Sequence, residues 1–358
     1  MIDVPASVDE ITPDWINAAL FDDRPPRVTA VKATSINNDR GFLSQTLRLA
    51  LTYEAPAPAP DRPASVVAKI KPNDETFRQA AAEISAFERE VGFYREVSRL
   101  VPIRLAQVYF AEETPKACAL VMEDLGHLTV GDQVHGIAHD RTLAVARMIA
   151  EVHAVFWDNE ALDGIGWAPE HDHFHTDTFV DAWPTFADAF ALRIGKRALA
   201  VGEAVAENLE ALERRIAERP AALVHGDLRA DNLMFGTPGE VDEVLMLDWQ
   251  LVHKTSATYD IARLIGGSEP VPERDGHQLD IVRAWHEALT RAGVARYPFD
   301  EALYDFRLSA LHCLTIPVKF QKLAGTDPQG RAGRLLDVMA ERFFAAVIEL
   351  DAASALPR

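Results

Sequence analysis

The stretch His225-Gly226-Asp227-Leu228-Arg229-Ala230-Asp231-Asn232 lies between the apolar run Ala221-Ala222-Leu223-Val224 and the apolar pair Leu233-Met234. An apolar run of that length delivers a strand or turn into a polar loop. A second run, Glu243-Val244-Leu245-Met246-Leu247, ends in Asp248-Trp249-Gln250. Two acids and an amide, Asp227, Asp248 and Asn232, are thereby directed to one place.

With 358 residues, the chain is long enough for two lobes that each bury a core, since domains run about 100–200 residues. Its 48% hydrophobic and 25% charged content is that of a soluble globular protein, and no apolar run approaches the roughly 20 residues of a membrane span. Met1-Ile2-Asp3-Val4-Pro5 lacks the basic opening and apolar core of a signal peptide, so a cytoplasmic location is expected. The formal charge of −19, with no basic run, argues against nucleic acid and anionic membranes as partners. Such an acidic excess suits a solvated surface better than selection of a cationic substrate. Cys118 and Cys313 sit in apolar segments without a CxxC motif and read as buried thiols.

The order of elements predicts an α+β chain. Thr12-Pro13-Asp14 opens a short helix through Leu20. Alternating β-formers over 27–33 and 45–53, then Ser65–Ile70, 106–110 and 117–122, predict a five-stranded antiparallel sheet. Residues 75–100 form the one long helical window of this half, with Ile84, Phe87, Val91 and Tyr94 on a stripe. Glu123-Asp124-Leu125-Gly126 breaks the pattern and marks the lobe boundary. Beyond it, helical windows cover 140–157, 178–190, 199–217, 276–292, 300–313 and 331–350.

Phosphoryl transfer from a nucleotide needs a group on the attacking hydroxyl, oxygen ligands for Mg²⁺, a cation on the α/β-phosphates and a loop over the phosphates. His225-Gly226-Asp227, Asn232 five residues after the aspartate, and a later Asp248 at a strand end follow the spacing of a kinase catalytic loop. With the texts Glu90-Val91-Gly92-Phe93-Tyr94 and Glu151-Val152-His153-Ala154-Val155-Phe156-Trp157, this resembles the aminoglycoside phosphotransferase and choline kinase superfamily, and especially its ecdysteroid-kinase-like branch. The resemblance runs from Gly41 to Asp260. It implies a bilobal protein-kinase-like fold, with residues 1–122 as the nucleotide lobe, 123–127 as the hinge and 128–358 as the catalytic and substrate lobe.

By that resemblance Asp227 takes or orients the acceptor proton, Asn232 and Asp248 hold Mg²⁺, and His225 braces the loop. Arg229 either stabilises charge near the γ-phosphate or braces the loop. Lys69 pairs with the α/β-phosphates of ATP and with a helix glutamate, for which Glu90 is preferred over Glu83 and Glu88. Gly41 and Ser44 match the phosphate loop, and Glu123 and Leu125 the adenine hinge. Asp260 either supports the catalytic loop or caps a helix, and the two roles are compatible.

His171-Asp172-His173-Phe174-His175 invites a zinc reading, but strict alternation suits an extended surface loop better. Asp172, Asp177, Asp181 and Asp188 could receive an amine, and Arg193, Lys196 and Arg197 an anionic tail. A wet helix face explains either set as well. The expected function is therefore transfer of the γ-phosphate of ATP to a small-molecule hydroxyl, with a nucleotide-binding pseudokinase as the alternative. A protein kinase is disfavoured, because Gln250 and Asp260 stand only ten positions apart and leave no room for an activation loop. The acceptor and the oligomeric state are not written in the sequence.

Overall fold

Thr12 accepts a hydrogen bond from the Trp15 amide at 3.2 Å, and Pro13 follows it, so α1 (Pro13–Phe21) starts where cap and proline direct it. In the computed structural model, which describes residues 2–36, 43–55, 62–170, 178–240, 243–274 and 276–357, the chain divides into two compact units. The first comprises Met1–Leu100 with Arg104–Thr129, the second Val101–Ile103 with Val130–Arg358.

The first unit holds five antiparallel strands, β1 (Val28–Ser35), β2 (Gln45–Tyr53), β3 (Ser65–Ile70), β4 (Val108–Glu113) and β5 (Cys118–Glu123), in the order β1-β2-β3-β5-β4. Leu47, Leu49, Val66, Ala68, Ile70, Ala119 and Val121 are buried with Ile16 and Phe21 of α1 in one core. Each of the Leu, Val, Ile and Phe side chains among them contributes about 1.5–3 kcal/mol by leaving water. The edge of β1 is tied to α1 by the buried Asn17, whose amide gives and receives bonds with the Val28 backbone at 2.9 and 2.8 Å.

The window expected as one helix over 75–100 forms in pieces, α2 (Glu75–Glu83), α3 (Ala86–Gly92) and a π turn over Phe93–Val97. Ser85, in the left-handed region at φ 51°, separates the first two. The break resets the helical phase, so that Ala86, Phe87, Glu90 and Val91 all turn inward.

In the second unit, α4 (His139–Val155) packs on α7 (Gln278–Arg291), and the fully buried α6 (Thr258–Ser268) lies among its neighbours. Between α4 and α6 come α5 (Phe179–Ala217), β6 (Ala221–Val224), β7 (Leu233–Phe235), β8 (Val244–Met246) and β9 (His253–Ser256). The chain ends with α8 (Phe299–His312), α9 (Thr315–Ala324) and α10 (Arg331–Glu349). Two helical windows were expected within α5, and Gly195, at φ 80° and ψ 164°, marks the corner between them. β6 pairs with β9 from Val224↔His253 to Ala221↔Ser256, and β7 with β8 from Leu233↔Met246 to Phe235↔Val244. Among the described residues, no helix is long and apolar enough to cross a membrane.

Candidate active site

In the first unit, strand alternation puts Val66, Ala68 and Ile70 into the core and Lys69 on the opposite face. There Lys69 Nζ donates to both carboxylate oxygens of Glu90, at 2.8 Å each. The pair is 7% and 2% exposed, so each charge depends on the other for compensation. Ser44 is also buried, near Thr46 at 3.5 Å, whereas Gly41 lies outside the described residues.

At the end of β5 the Glu123 carboxylate accepts from Arg104 at 2.8 and 2.7 Å and from the Gln107 amide at 3.1 Å. Asp124 takes the bidentate Arg48 at 2.7 and 3.0 Å and the Ser65 hydroxyl at 2.6 Å. Burial pushes the Asp124 carboxyl up, but these bonds outweigh it and hold the group below the usual carboxylate range. Leu125 accepts from the Leu128 amide at 2.9 Å, while its own amide donates to no group among the described residues.

In the second unit, β6 delivers His225 and Gly226 into the loop. Gly226 sits at φ 83°, and a side chain there would meet the Leu251 carbonyl at 2.0 Å, so only glycine fits. His225 joins the two arms of the site. Its Nδ1 accepts from the Asp227 amide at 3.3 Å, and its Nε2 therefore donates to the Leu247 carbonyl, 3.0 Å away, beside Asp248.

Asn232 Nδ2 donates to the carbonyl and to Oδ2 of Asp227, both at 2.9 Å. Neither acceptor has a proton to give, so the amide nitrogen must face inward and Asn232 Oδ1 outward. The β7–β8 register and the bond from the Leu247 amide to the Asn232 carbonyl, 2.9 Å, bring Asn232 and Asp248 to the same end of this hairpin. Asp248 occupies the left-handed region at φ 70°, a strained position that aspartate tolerates better than most residues, and accepts from Gln250 at 2.8 Å.

Two residues of α6, one turn apart, hold the loop from beneath. Asp260 accepts from the amides of His225 at 2.7 Å and Gly226 at 3.0 Å, and it contacts His153 Nε2 at 3.1 Å. Because Trp285 donates to His153 Nδ1 at 3.0 Å, the imidazole proton sits on Nε2 and points at Asp260. Asp260 thus supports the loop, and the helix-cap position belongs to Ala257. Arg263, a turn later, donates to Asp227 Oδ1 at 2.7 Å.

The Asp227 carboxylate thus accepts from Asn232, Arg229 and Arg263. Burial alone would push it up. The adjacent Arg229 and Arg263 guanidiniums, with Arg229 Nε 2.8 Å from Oδ2, hold it far below the usual range. Asp260 is held low in the same way, its burial outweighed by the bonds from His153 and from the loop amides.

Arg229 spans Asp227 and Asp231, the latter at 2.8 Å, and also donates to Gln133 at 3.0 Å, so its geometry is that of a brace. Asp231, 1% exposed in its side chain, also accepts from the Gln133 amide at 2.8 Å and from Arg331 at 2.8 and 2.9 Å. Arg263, Gln133, Asp231 and Arg331 carry no expectation from sequence. Of the other candidates, His171–His175, Asp172 and Asp177 lie outside the described residues, Asp181 and Asp188 are not buried, and Arg193 pairs with Asp337 at 2.5 Å.

Residues 38–161 and 168–294 match the ecdysteroid kinase-like family. The chain belongs to that family. No curated protein sequence matches this family member. Its fold is similar to that of a choline kinase from Cryptosporidium parvum (11% identity, 97% of this chain and 95% of that one, TM-score 0.56). It is also similar to a provisional aminoglycoside phosphotransferase from Ralstonia eutropha (17% identity, 97% and 98%, TM-score 0.54) and to a gentamicin-bound APH(2")-IIa (13% identity, 96% and 99%, TM-score 0.52). At these identities the likeness is one of fold, and that fold is protein-kinase-like.

Proposed function

We propose that this ecdysteroid kinase-like chain is an ATP- and Mg²⁺-dependent phosphotransferase that moves the γ-phosphate to a hydroxyl group of a small molecule. The observation that carries this reading is the orientation of Asn232, whose nitrogen is bound to Asp227 and whose oxygen faces outward at the hairpin end that bears Asp248. An amide oxygen and a carboxylate are hard donors and suit Mg²⁺, so these two residues would hold the ion. Bound there, it neutralises charge on the transferring phosphoryl oxygens. Structural neighbours that act on small hydroxyl compounds, the choline kinase among them, and a GDP complex of aminoglycoside 2'-phosphotransferase-IIIa (12% identity, TM-score 0.51) support nucleotide use.

Within this reading Lys69 binds the α/β-phosphates, held in place by Glu90. The Leu125 amide is available to the nucleotide base. Asp227 is too strongly stabilised as an anion to be a good proton acceptor in the ground state. Its part is to align the acceptor hydroxyl, taking the proton late, as a loose phosphoryl transition state allows. Arg229 and Arg263 keep it ionised and fixed in direction.

The same engagement of Asp227 favours a second reading, nucleotide binding without turnover. The deciding experiment is ADP release from MgATP in the presence of amino-alcohols, aminoglycosides, sterols and hydroxy acids, with Asp227→Asn as control. Stimulation by one acceptor class, abolished in the variant, is expected. Nucleotide binding with no stimulation by any acceptor would favour the second reading.

A further inference from the structure

We propose that His139, His277 and Asp280 form a zinc-type divalent metal site in the second unit, oriented by the buried carboxylate of Glu269 and separate from the Mg²⁺ ligands of the reaction. One ligand atom from each of the three residues lies within 4.8 Å of the others. A tetrahedral site with metal–nitrogen bonds of about 2.0–2.1 Å needs ligand atoms about 3.3 Å apart. The difference falls within the reach of His277 and Asp280, whose side chains are 55% and 48% exposed and can swing inward. Two imidazoles and one carboxylate select a borderline ion such as Zn²⁺ over Mg²⁺, and the exposure leaves a further position to water.

The independent observation is Glu269. Its side chain is fully buried, and one oxygen takes His139 Nδ1 at 2.6 Å while the other has no hydrogen-bond partner among the described residues. A buried carboxylate on one imidazole nitrogen is the arrangement that fixes the other nitrogen, here Nε2, toward a metal. Packing of the His139 and His277 rings, with centroids 5.0 Å apart, already brings the two ligands together.

Placement on rigid elements favours a definite site. His139 is the first residue of α4 and His277 the residue before α7, helices that pack on each other, while Glu269 follows the last residue of α6. A bound cation meets the negative end of the α6 dipole and two carboxylates, Glu269 and Asp280, which offset the positive ends of α4 and α7. The ion would fasten three helix ends, among them that of the helix carrying Asp260 and Arg263.

The test uses the full chain, stripped of metal by chelator and titrated with Zn²⁺ by calorimetry and with Co²⁺ by visible absorption. One equivalent of each is expected, with Co²⁺ bands of low coordination number. His277→Ala and Asp280→Asn should each weaken binding at least about ten-fold, and Glu269→Gln by about 10–100-fold. Both ligand positions are partly exposed, so those variants should fold as the parent does. Zn²⁺ should raise the Tm of the parent and leave that of His277→Ala unchanged. Replacing His171, His173 and His175 together by Gln, which removes the other histidine cluster of the sequence, should leave the equivalent in place, as should Asp248→Asn. No metal uptake by the folded parent, uptake indifferent to His277→Ala, or uptake lost with the His171–His175 cluster would each overturn the proposal.

Discussion

Arg263 holds Asp227 from α6, its guanidinium nitrogen 2.7 Å from Oδ1, although the two residues are 36 positions apart. With Arg229 on the other oxygen, the carboxylate is clamped between two cations, and the clamp sets both its charge and its direction.

Removing one side of the clamp should separate those effects. In Arg263→Ala, kcat/KM should fall by about 10²-fold, as when a charge-assisted positioning contact is lost. Activity requires ionised Asp227, whose folded-state pKa is depressed, so the parent should keep its activity well below the ordinary carboxylate range. In the variant the acid limb should move to higher pH, while Arg229 still holds the carboxyl below the ordinary range. A pH–rate profile reads this directly, and Arg263→Lys should restore part of the rate.

Asp260 should matter first to stability. Asp260→Ala leaves the His225 and Gly226 amides and His153 Nε2 without their acceptor in a buried place, which should cost about 3–5 kcal/mol in urea unfolding. Because Asp227 and Asp260 are both held low in the folded state, their contribution is present above the unfolded pKa of about 3.9 and is lost as pH falls through the folded values. Stability should therefore be level from neutral pH to about 5 and decline below about 4.

The buried Lys69–Glu90 pair permits a cleaner division of roles. Lys69→Met alone strands a buried carboxylate and should destabilise the chain by about 3–5 kcal/mol. Adding Glu90→Leu should return most of that stability but no nucleotide turnover. Denaturant midpoints and ADP release, measured on the same samples, distinguish the two roles of Lys69.

How much of this was legible in the sequence depended on the range of the interaction. The alternation of β2, the apolar runs of β3 and β5 and the cap at Thr12 are local signals, and all are seen in the fold. The left-handed break at Ser85 was not legible, because the apolar stripe through Ile84, Phe87 and Val91 reads as one helix whether or not the chain turns between its parts. The positions of Asp227, Asn232 and Asp248 stand out by spacing. The residues that brace them do not, since Gln133 reaches Arg229 across 96 positions and Arg331 reaches Asp231 across 100. Nothing within a local window of either arginine records its partner.

Gly226 tests the shape of the loop. A methyl group there meets the Leu251 carbonyl and must be carried at φ 83°, so Gly226→Ala should cost at least about 2 kcal/mol. Leu251 follows Asp248 closely in the chain, and the variant should also lose Mg²⁺-dependent nucleotide affinity. Comparing urea midpoints with nucleotide titrations checks both effects.

The central claim, that Asn232 and Asp248 together hold the ion through which this chain binds ATP, is tested most directly by calorimetric titration of the full chain with ATP, with and without Mg²⁺. One binding event that requires Mg²⁺ and disappears in Asp248→Asn, while the variant stays folded, is the expected result. Binding that is the same in Asp248→Asn as in the parent, or no binding of MgATP by the folded parent, would contradict it.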